Sequence, residues 1–233
     1  MTSTLTFDIT QFFPSLNHQL LSLILDKAEF DFKILLFFCD YLVERKIKYL
    51  WNNFLSSSFN VDIGVGQGSV FSHILSALYF SSLLHIFEKR LKNTKILISL
   101  ISFVDNGLFI SQNKSLVVSN SHLFCNYHII SFFLGQFGLI VEHGKMEVFH
   151  FSRSYGLFNP SSLDLTILGG PILCSKKTWY YLEFIFNKKL TFWQYINFYT
   201  NKALFTIKCM EMHGNSIKDL ILTQKLYFTY CTI

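Results

Sequence analysis

The sequence predicts an α+β domain in which helices cover one face of a mainly antiparallel sheet. Three observations support this class. The predicted segments follow the order β-α-α-β-β-α-β-β, which is typical of such a layered domain. An Asn-Gly pair between two β-prone runs is a strong hairpin signal. The 233 residues are 51% hydrophobic and only 15% charged, so the chain can bury a large core.

The first half of the chain begins with a strand, Leu5–Ile9. Apolar residues at helical spacing then predict a helix, and they are Leu20, Leu21, Ile24, Leu25 and Ala28. Ser69 is placed to cap a second helix that ends near the basic residues Lys89, Arg90 and Lys92. Its apolar face includes Ile74, Leu75, Leu78, Leu83 and Phe87.

The second half begins with the hairpin. Its predicted strands are Ile96–Val104 and Leu108–Ile110, joined at Asp105-Asn106-Gly107. A third helix is predicted over residues 115–133, and helices resume from about Gln194. Four further segments read as strands, namely Leu139–Val141, Glu147–Phe151, Leu163–Leu168 and Tyr180–Phe186.

Net charge, apolar run lengths and cysteine spacing limit the classes of protein to which the chain can belong. The net charge of +5 permits a nucleic-acid partner without requiring one. The longest apolar runs are interrupted before the roughly 20 residues of a membrane span, and no secretory signal is present. We therefore expect an intracellular chain, neither secreted nor in a membrane. The five cysteines form no CxxC pair, which disfavours a zinc site or a disulfide framework.

Two aspartates are the candidate chemical groups. Asp8 ends a predicted strand, and Asp105 lies at the tip of the hairpin. If the strands are neighbours, both carboxylates meet at one sheet edge, where they could hold two Mg²⁺ ions for an in-line displacement. The alternative is an ordinary strand-end acid and an ordinary turn aspartate. The two residues by themselves favour this alternative.

Five sequence segments, taken in their order along the chain, favour the metal-site interpretation instead. They are Phe7-Asp8-Ile9-Thr10-Gln11-Phe12-Phe13-Pro14-Ser15-Leu16, Gly66-Gln67-Gly68-Ser69-Val70-Phe71-Ser72, Phe103-Val104-Asp105-Asn106, Gly138-Leu139 with Lys145-Met146-Glu147, and Tyr181-Leu182-Glu183. They resemble motifs A to E of reverse transcriptases, in particular those of LINE-like (non-LTR) retrotransposons. Each motif is weak alone, but their order and spacing make the resemblance specific, and it covers nearly the whole chain.

The resemblance implies a role for each matching residue. Asp8 and Asp105, with the carbonyl of Ile9, would hold two Mg²⁺ or Mn²⁺ ions, and Lys145 would assist at the leaving pyrophosphate. Phe13 would be the steric gate that selects deoxynucleotides, Gln67 and Gly68 would contact the incoming nucleotide, and Tyr181 and Leu182 would steady the primer end. Each has a plainer alternative, since Phe13 could be a core residue, Gln67 a turn residue and Lys145 a solvated surface lysine.

The resemblance also implies an organisation and partners. Residues 1–186 would form the palm with a remnant of the fingers, and residues 187–233 the start of a helical thumb. The partners would be an RNA template, a DNA primer and deoxynucleoside triphosphates, with no membrane and no specified protein partner. Only seven residues precede Asp8, where reverse transcriptases carry their fingers, so we expect a truncated domain with little or no polymerase activity in isolation.

Several positions depart from the family pattern. Asn106 replaces the second aspartate of motif C, and a neutral amide binds Mg²⁺ more weakly than a carboxylate. Glu183 replaces the glycine of motif E and would repel a primer phosphate. We therefore expect an impaired RNA-directed DNA polymerase. The alternative is a non-catalytic, nucleic-acid-binding relic of a retrotransposon.

Overall fold

A computed structural model describes residues 1–28, 30–92, 98–151, 165–166, 172–176 and 178–212. These residues form two compact units. The first contains the described residues up to His150 and those between 156 and 176. The second contains Phe151 and the described residues from Thr178 onward. Predicted strand residues 163, 164, 167 and 168 lie outside the described part.

The helices of the first unit are α1 (His18–Lys27), α2 (Phe32–Leu42), α3 (Val70–Lys92) and α4 (Leu116–Gln136), with 3₁₀ turns at Phe13–Ser15 and His143–Lys145. The side chain of Asn17 caps α1 by accepting the amide of Leu20 at 3.0 Å, and Asp31 caps α2. The helices predicted after residues 17, 69 and 115 are confirmed. Helix α2 was not predicted.

The main sheet has the strand order β6-β7-β1-β8, with strands β1 (Thr2–Asp8), β6 (Ile98–Phe103), β7 (Asn106–Gln112) and β8 (Glu147–Phe151). Strand β7 pairs antiparallel with both β1 and β6. The hydroxyls of Thr4 and Thr6 donate to the carbonyls of Phe149 and Glu147, so β8 also runs against β1. The predicted antiparallel sheet is confirmed.

Helices and sheet share one core. Helix α4 packs on β1 and β7, and α3 packs on both α4 and α1. Phe109 is fully buried, with its ring 5.5 Å from that of Phe7 on β1 and 5.8 Å from that of Phe87 on α3. Strand alternation places Phe7 on the helix side of β1 and Asp8 on the other side. The mixed α/β class with helices on an antiparallel sheet is therefore confirmed.

Four short strands form a ribbon between α2 and α3. They are β2 (Lys46–Ile47), β3 (Leu50–Trp51), β4 (Phe54–Leu55) and β5 (Phe59–Asn60), and they pair β2 with β5 and β3 with β4. The chain turns at Asn52-Asn53, where both residues have positive φ, as a tight hairpin turn requires. The sequence analysis missed this ribbon, although Asn-Asn between two apolar runs is a recognisable turn signal.

Strand assignments near the end of the first unit and in the second unit need correction. Leu139–Val141 is not a strand, because only Val141 forms an isolated bridge, to Ile9. Residues 180–186 are not one strand. They belong to a hairpin of β11 (Thr178–Tyr181) and β12 (Phe184–Asn187), which turns at Leu182-Glu183. Helix α5 (Trp193–Met212) follows, and β9 (Leu165–Thr166) pairs with β10 (Ile172–Leu173) in the first unit.

One described helix is long and apolar enough to cross a membrane. It spans Val70–Leu91 in α3, a helix that the sequence analysis predicted but did not consider as a membrane span. Five of its apolar side chains are buried in the core shared with α1, α4 and the sheet, namely Leu75, Tyr79, Phe80, Leu83 and Phe87. A core helix of a globular unit passes the same test of length and composition.

Gly107 is needed for packing rather than for the hairpin turn. The β6–β7 hairpin pairs Phe103 with Asn106, so its two turn residues are Val104 and Asp105. The turn predicted at Asp105-Asn106-Gly107 is therefore correct at Asp105 only, because Asn106 and Gly107 begin β7. Gly107 lies opposite Phe7 on β1, and a Cβ atom at Gly107 would overlap the ring of Phe7. Burial of that ring on the helix side excludes any side chain at position 107.

Gly107→Ala should destabilise the chain by about 2–3 kcal/mol, because the Phe7 ring is buried and can yield only by straining the core. Urea unfolding followed by circular dichroism measures this. Gly135→Ala is the matched control, since its Cβ would meet nothing within 4 Å and alanine is favoured in a helix. Equal stability of the Gly107→Ala and wild-type chains would contradict the packing argument.

Candidate active site

The pairing of β1 with β7 brings the two candidate aspartates together. Asp8, the last residue of β1, lies directly across from Asn106, the first residue of β7. The amide of Ile9 donates to the carbonyl of Asp105 at 3.0 Å. The end of β1 is therefore joined to the hairpin turn by a backbone hydrogen bond. The condition under which the two carboxylates could meet, that their strands are neighbours, is therefore met.

The hairpin turn that carries Asp105 contains a strained residue, Val104. Val104 has a φ of +56°, in the left-handed region that β-branched residues avoid at a cost of about 1–3 kcal/mol. The side-chain amide of Asn106 donates to Oδ1 of Asp105 at 2.9 Å. Asn106 therefore lies between the two aspartates, across from one and hydrogen-bonded to the other.

Asp8 is paired with a lysine. Nζ of Lys145 donates to Oδ2 of Asp8 at 2.8 Å and lies 2.9 Å from Oε2 of Glu142. The hydrogen bond to Asp8, followed by that to Glu142, raises the pKa of Lys145 above its usual range, so the ammonium group stays charged. The other oxygen of Asp8, Oδ1, is buried and has no hydrogen-bond partner among the residues that the structure describes. That bare oxygen is an acceptor that a cation could satisfy.

Backbone contacts place Glu142 and Lys145 at this edge. The amide of Glu142 donates to the carbonyl of Asp8 at 2.8 Å, next to the bridge between Ile9 and Val141. Lys145 ends the 3₁₀ turn His143–Lys145, which a 2.8 Å hydrogen bond between Tyr127 and His143 fastens to α4. The sequence analysis missed Glu142. Its only local signal is the i,i+3 spacing of Glu and Lys.

The donor chemistry of this edge fits a hard divalent ion. Asp8, Asp105 and the carbonyl of Ile9 offer oxygen atoms, which Mg²⁺ prefers. Within the described part of the chain, no three His, Cys, Asp or Glu side chains are arranged to hold an ion as they stand. Oδ2 of Asp8 is already bonded to the Lys145 ammonium, so an ion that binds this oxygen as well as Oδ1 requires the lysine to move.

The residues that were predicted to contact the nucleotide lie in the 3₁₀ turn at Phe13 and in the loop of Gln67 and Gly68. Phe13 is nearly buried, and its ring meets that of His73 edge to face at 5.6 Å. The amide of Val65 donates to the carbonyl of Phe13 at 2.8 Å, which fastens the base of the loop to the segment after Asp8. Gln67 and Gly68 are exposed, and Gly68 has a φ of +90° with open space around it. Their predicted nucleotide contacts stay predictions.

Arg45 is a basic residue beside this loop that sequence reasoning did not select. Its Nη1 donates to the carbonyl of Gly64 at 2.9 Å, and its guanidinium lies 5.5 Å from the centre of the Tyr41 ring. A Cβ atom on Gly66 would approach Nη2 of Arg45 to 3.1 Å. No short sequence motif marks Arg45, because its contacts are long-range.

Tyr181 and Leu182 belong to the second unit. Tyr181 ends β11, and its ring stacks on that of Trp179 at 5.2 Å. Leu182 is the first turn residue of the β11–β12 hairpin, with a φ of +46°. Burial raises the pKa of Tyr181 above its ordinary value. The predicted primer contact of both residues stays a prediction.

Known structures identify the fold class. No protein-family model and no curated protein matches the chain. Among solved structures, the chain is similar to apo telomerase of Candida tropicalis truncated from its C-terminal domain, with a TM-score of 0.56 and 18% identity over 82% of this chain and 34% of that one. Telomerase of Candida tropicalis in complex with a TWJ fragment of telomeric RNA gives a TM-score of 0.59 and 16% identity, again over 82% of this chain and 29% of that one.

Apo telomerase of the same species gives a TM-score of 0.54 at 15% identity, with 82% of this chain and 32% of that chain covered. Telomerase is a reverse transcriptase, and identity this low shows the fold alone. The chain therefore has a reverse-transcriptase-like fold, and it spans about a third of the length of these structures. A more particular family, whether LINE-like or telomerase, does not follow from these similarities.

Asn106→Asp should destabilise the chain by about 1–2 kcal/mol in the absence of divalent ions. The new carboxylate would lie across from Asp8 and would repel the carboxylates of Asp8 and Asp105. The substitution also removes the side-chain amide that donates a hydrogen bond to Asp105. Asn106→Ala is the control, because it loses the same hydrogen bond without adding charge. Urea unfolding at low salt and in 0.5 M NaCl measures the difference in stability between the two variants. Salt should reduce this difference, because it screens the repulsion between the carboxylates. Equal stability of the two variants at low salt would contradict close approach of these side chains.

Proposed function

We propose that the chain is part of an RNA-directed DNA polymerase, the reverse transcriptase of a LINE-like retrotransposon. Its reaction would add deoxynucleotides to a DNA primer on an RNA template. The observation that carries the proposal is the β1–β7 register, which sets Asp8 beside the turn that carries Asp105. The reverse-transcriptase-like fold and the order of the five sequence motifs support it.

In this proposal residues 1–186 are the palm with a remnant of the fingers, and residues 187–233 begin the thumb. The partners are template RNA, primer DNA and deoxynucleoside triphosphates. One of the similar telomerase structures was solved with RNA, which supports nucleic-acid binding as the general class.

Each site residue has a proposed task. Asp8, Asp105 and the carbonyl of Ile9 hold two Mg²⁺ or Mn²⁺ ions, which would activate the primer hydroxyl and stabilise the leaving oxygen. Phe13 limits the space at the sugar, beside the loop of Gln67 and Gly68. Lys145 supplies positive charge next to Asp8. Tyr181 and Leu182 steady the primer end.

The same edge contains a reason for weak catalysis. Asn106 stands directly across from Asp8, where motif C of the family has a second aspartate, and it brings an amide instead of a negative charge. A neutral ligand holds a divalent ion less tightly. This observation favours a second candidate, a nucleic-acid-binding relic that keeps the fold but no longer catalyses the reaction.

The test is incorporation of labelled deoxynucleotide by the purified chain on an RNA template with a DNA primer, first in Mg²⁺ and then in Mn²⁺. We expect weak incorporation that Asp105→Ala abolishes, because that variant loses a metal-binding carboxylate. Asn106→Asp should raise the rate by about tenfold or more, since restored negative charge stabilises the ions at the reacting phosphate. Circular dichroism confirms that each variant is folded.

Two outcomes would decide between the candidates. Incorporation that is equal in wild type and Asp105→Ala would come from another site and would contradict the polymerase proposal. Absence of incorporation from folded wild type and folded Asn106→Asp, with template–primer binding retained, would favour the relic.

A further inference from the structure

The ammonium group of Lys145 lies where the proposed function needs a cation. It contacts carboxylate oxygens of two residues, Oδ2 of Asp8 at 2.8 Å and Oε2 of Glu142 at 2.9 Å. Asp8 is the residue that both the sequence motif and the strand register select as a metal ligand. The two carboxylates therefore share one positive charge that belongs to the chain itself.

We propose that Lys145 is a tethered counter-ion of the candidate active site, that Glu142 is its positioning residue, and that a divalent ion gains both carboxylate oxygens of Asp8 only by displacing Lys145. The inference rests on the proposed function, because it takes Asp8 as a metal ligand. It adds two things: a role for Glu142, and a competition between the chain's own cation and the metal.

The backbone explains why Glu142 can act as a positioning residue. Its amide is bonded to the carbonyl of Asp8 at 2.8 Å, so its Cα is held next to the strand end. Lys145 follows three residues later, and its own amide donates to the carbonyl of Glu142 at 3.1 Å. One turn of chain thus presents Glu142 and Lys145 together. The hydrogen bond between Tyr127 and His143 anchors that turn to α4.

The difference in exposure indicates which partner moves. The Asp8 side chain is 16% exposed, whereas that of Lys145 is 59% exposed. A long, exposed lysine can swing into solvent while it remains beside Glu142, but Asp8 is held by the end of β1. Exposed ion pairs of this kind contribute little to stability, so displacement of the lysine costs little. Its charge nevertheless opposes a divalent ion at the same oxygen.

Mn²⁺ binding to the full chain, followed by electron paramagnetic resonance, tests the competition without any catalytic readout. Lys145→Met should tighten Mn²⁺ binding by about tenfold, because it removes a positive charge within hydrogen-bond distance of a ligand oxygen. Lys145→Arg keeps the charge and should bind as wild type does. Lys176→Met is the matched control, since Lys176 also pairs with a sheet carboxylate, Glu147, and is 54% exposed.

A double-mutant cycle tests Glu142. If Glu142 acts through Lys145, the effects of Glu142→Gln and Lys145→Met on Mn²⁺ affinity are coupled, and the double variant departs from the product of the single effects by about threefold or more. Independent effects, which multiply, would overturn the role of Glu142 as a positioning residue.

The failures of the inference and of the proposed function are distinguishable. If Asp8→Asn removes Mn²⁺ binding but Lys145→Met leaves the affinity unchanged, the counter-ion inference is overturned and the metal site stands. The same tightening in Lys176→Met would also overturn it, because general charge would then explain the effect. If Asp8→Asn leaves Mn²⁺ binding intact, Asp8 is not a ligand, and both the inference and the proposed two-metal site are overturned.

Discussion

The antiparallel pairing of β1 with β7 is the constraint on which the fold and the candidate site depend. Its register runs from Thr2 opposite Gln112 to Asp8 opposite Asn106. Side chains alternate between the faces of a strand, so a slip of one residue would exchange the two faces. Phe7 would then leave the core, and Asp8 would enter it. Burial of one face therefore specifies the position of the carboxylate on the other.

Gly107 disfavours other registers of this strand pairing. The Phe7 ring covers the strand opposite it, and only a residue without a side chain fits beneath that ring. Phe109, two residues later on the same face, packs against Phe7 and Phe87 and continues the core toward α3. The packing of Phe7 over Gly107 thus fixes that Asn106, the first residue after the hairpin turn, lies opposite Asp8.

The charged edge is assembled by backbone hydrogen bonds. Asp105 is joined to Ile9, and Glu142 is joined to Asp8, through main-chain groups at 3.0 Å and 2.8 Å. Three acidic side chains from distant parts of the sequence consequently project from one small region. Their mutual repulsion is offset by Lys145 at Asp8 and by the Asn106 amide at Asp105. The same arrangement brings carboxylate oxygens and the ammonium group of Lys145 to one edge of the sheet.

The sequence by itself determined the alternation of helices and strands, the antiparallel class, and Asp8 and Asp105 as the candidate pair, because periodicity and motif order are local properties. It wrongly extended the hairpin turn from Asp105 over Asn106-Gly107, because the local preference of Asn-Gly yields here to the packing of Phe7 over Gly107. Only the tertiary structure could add Glu142 and Arg45. Their contacts join residues 134 and 19 positions apart, to Asp8 and Gly64 respectively, and no local pattern encodes a pairing across such separations.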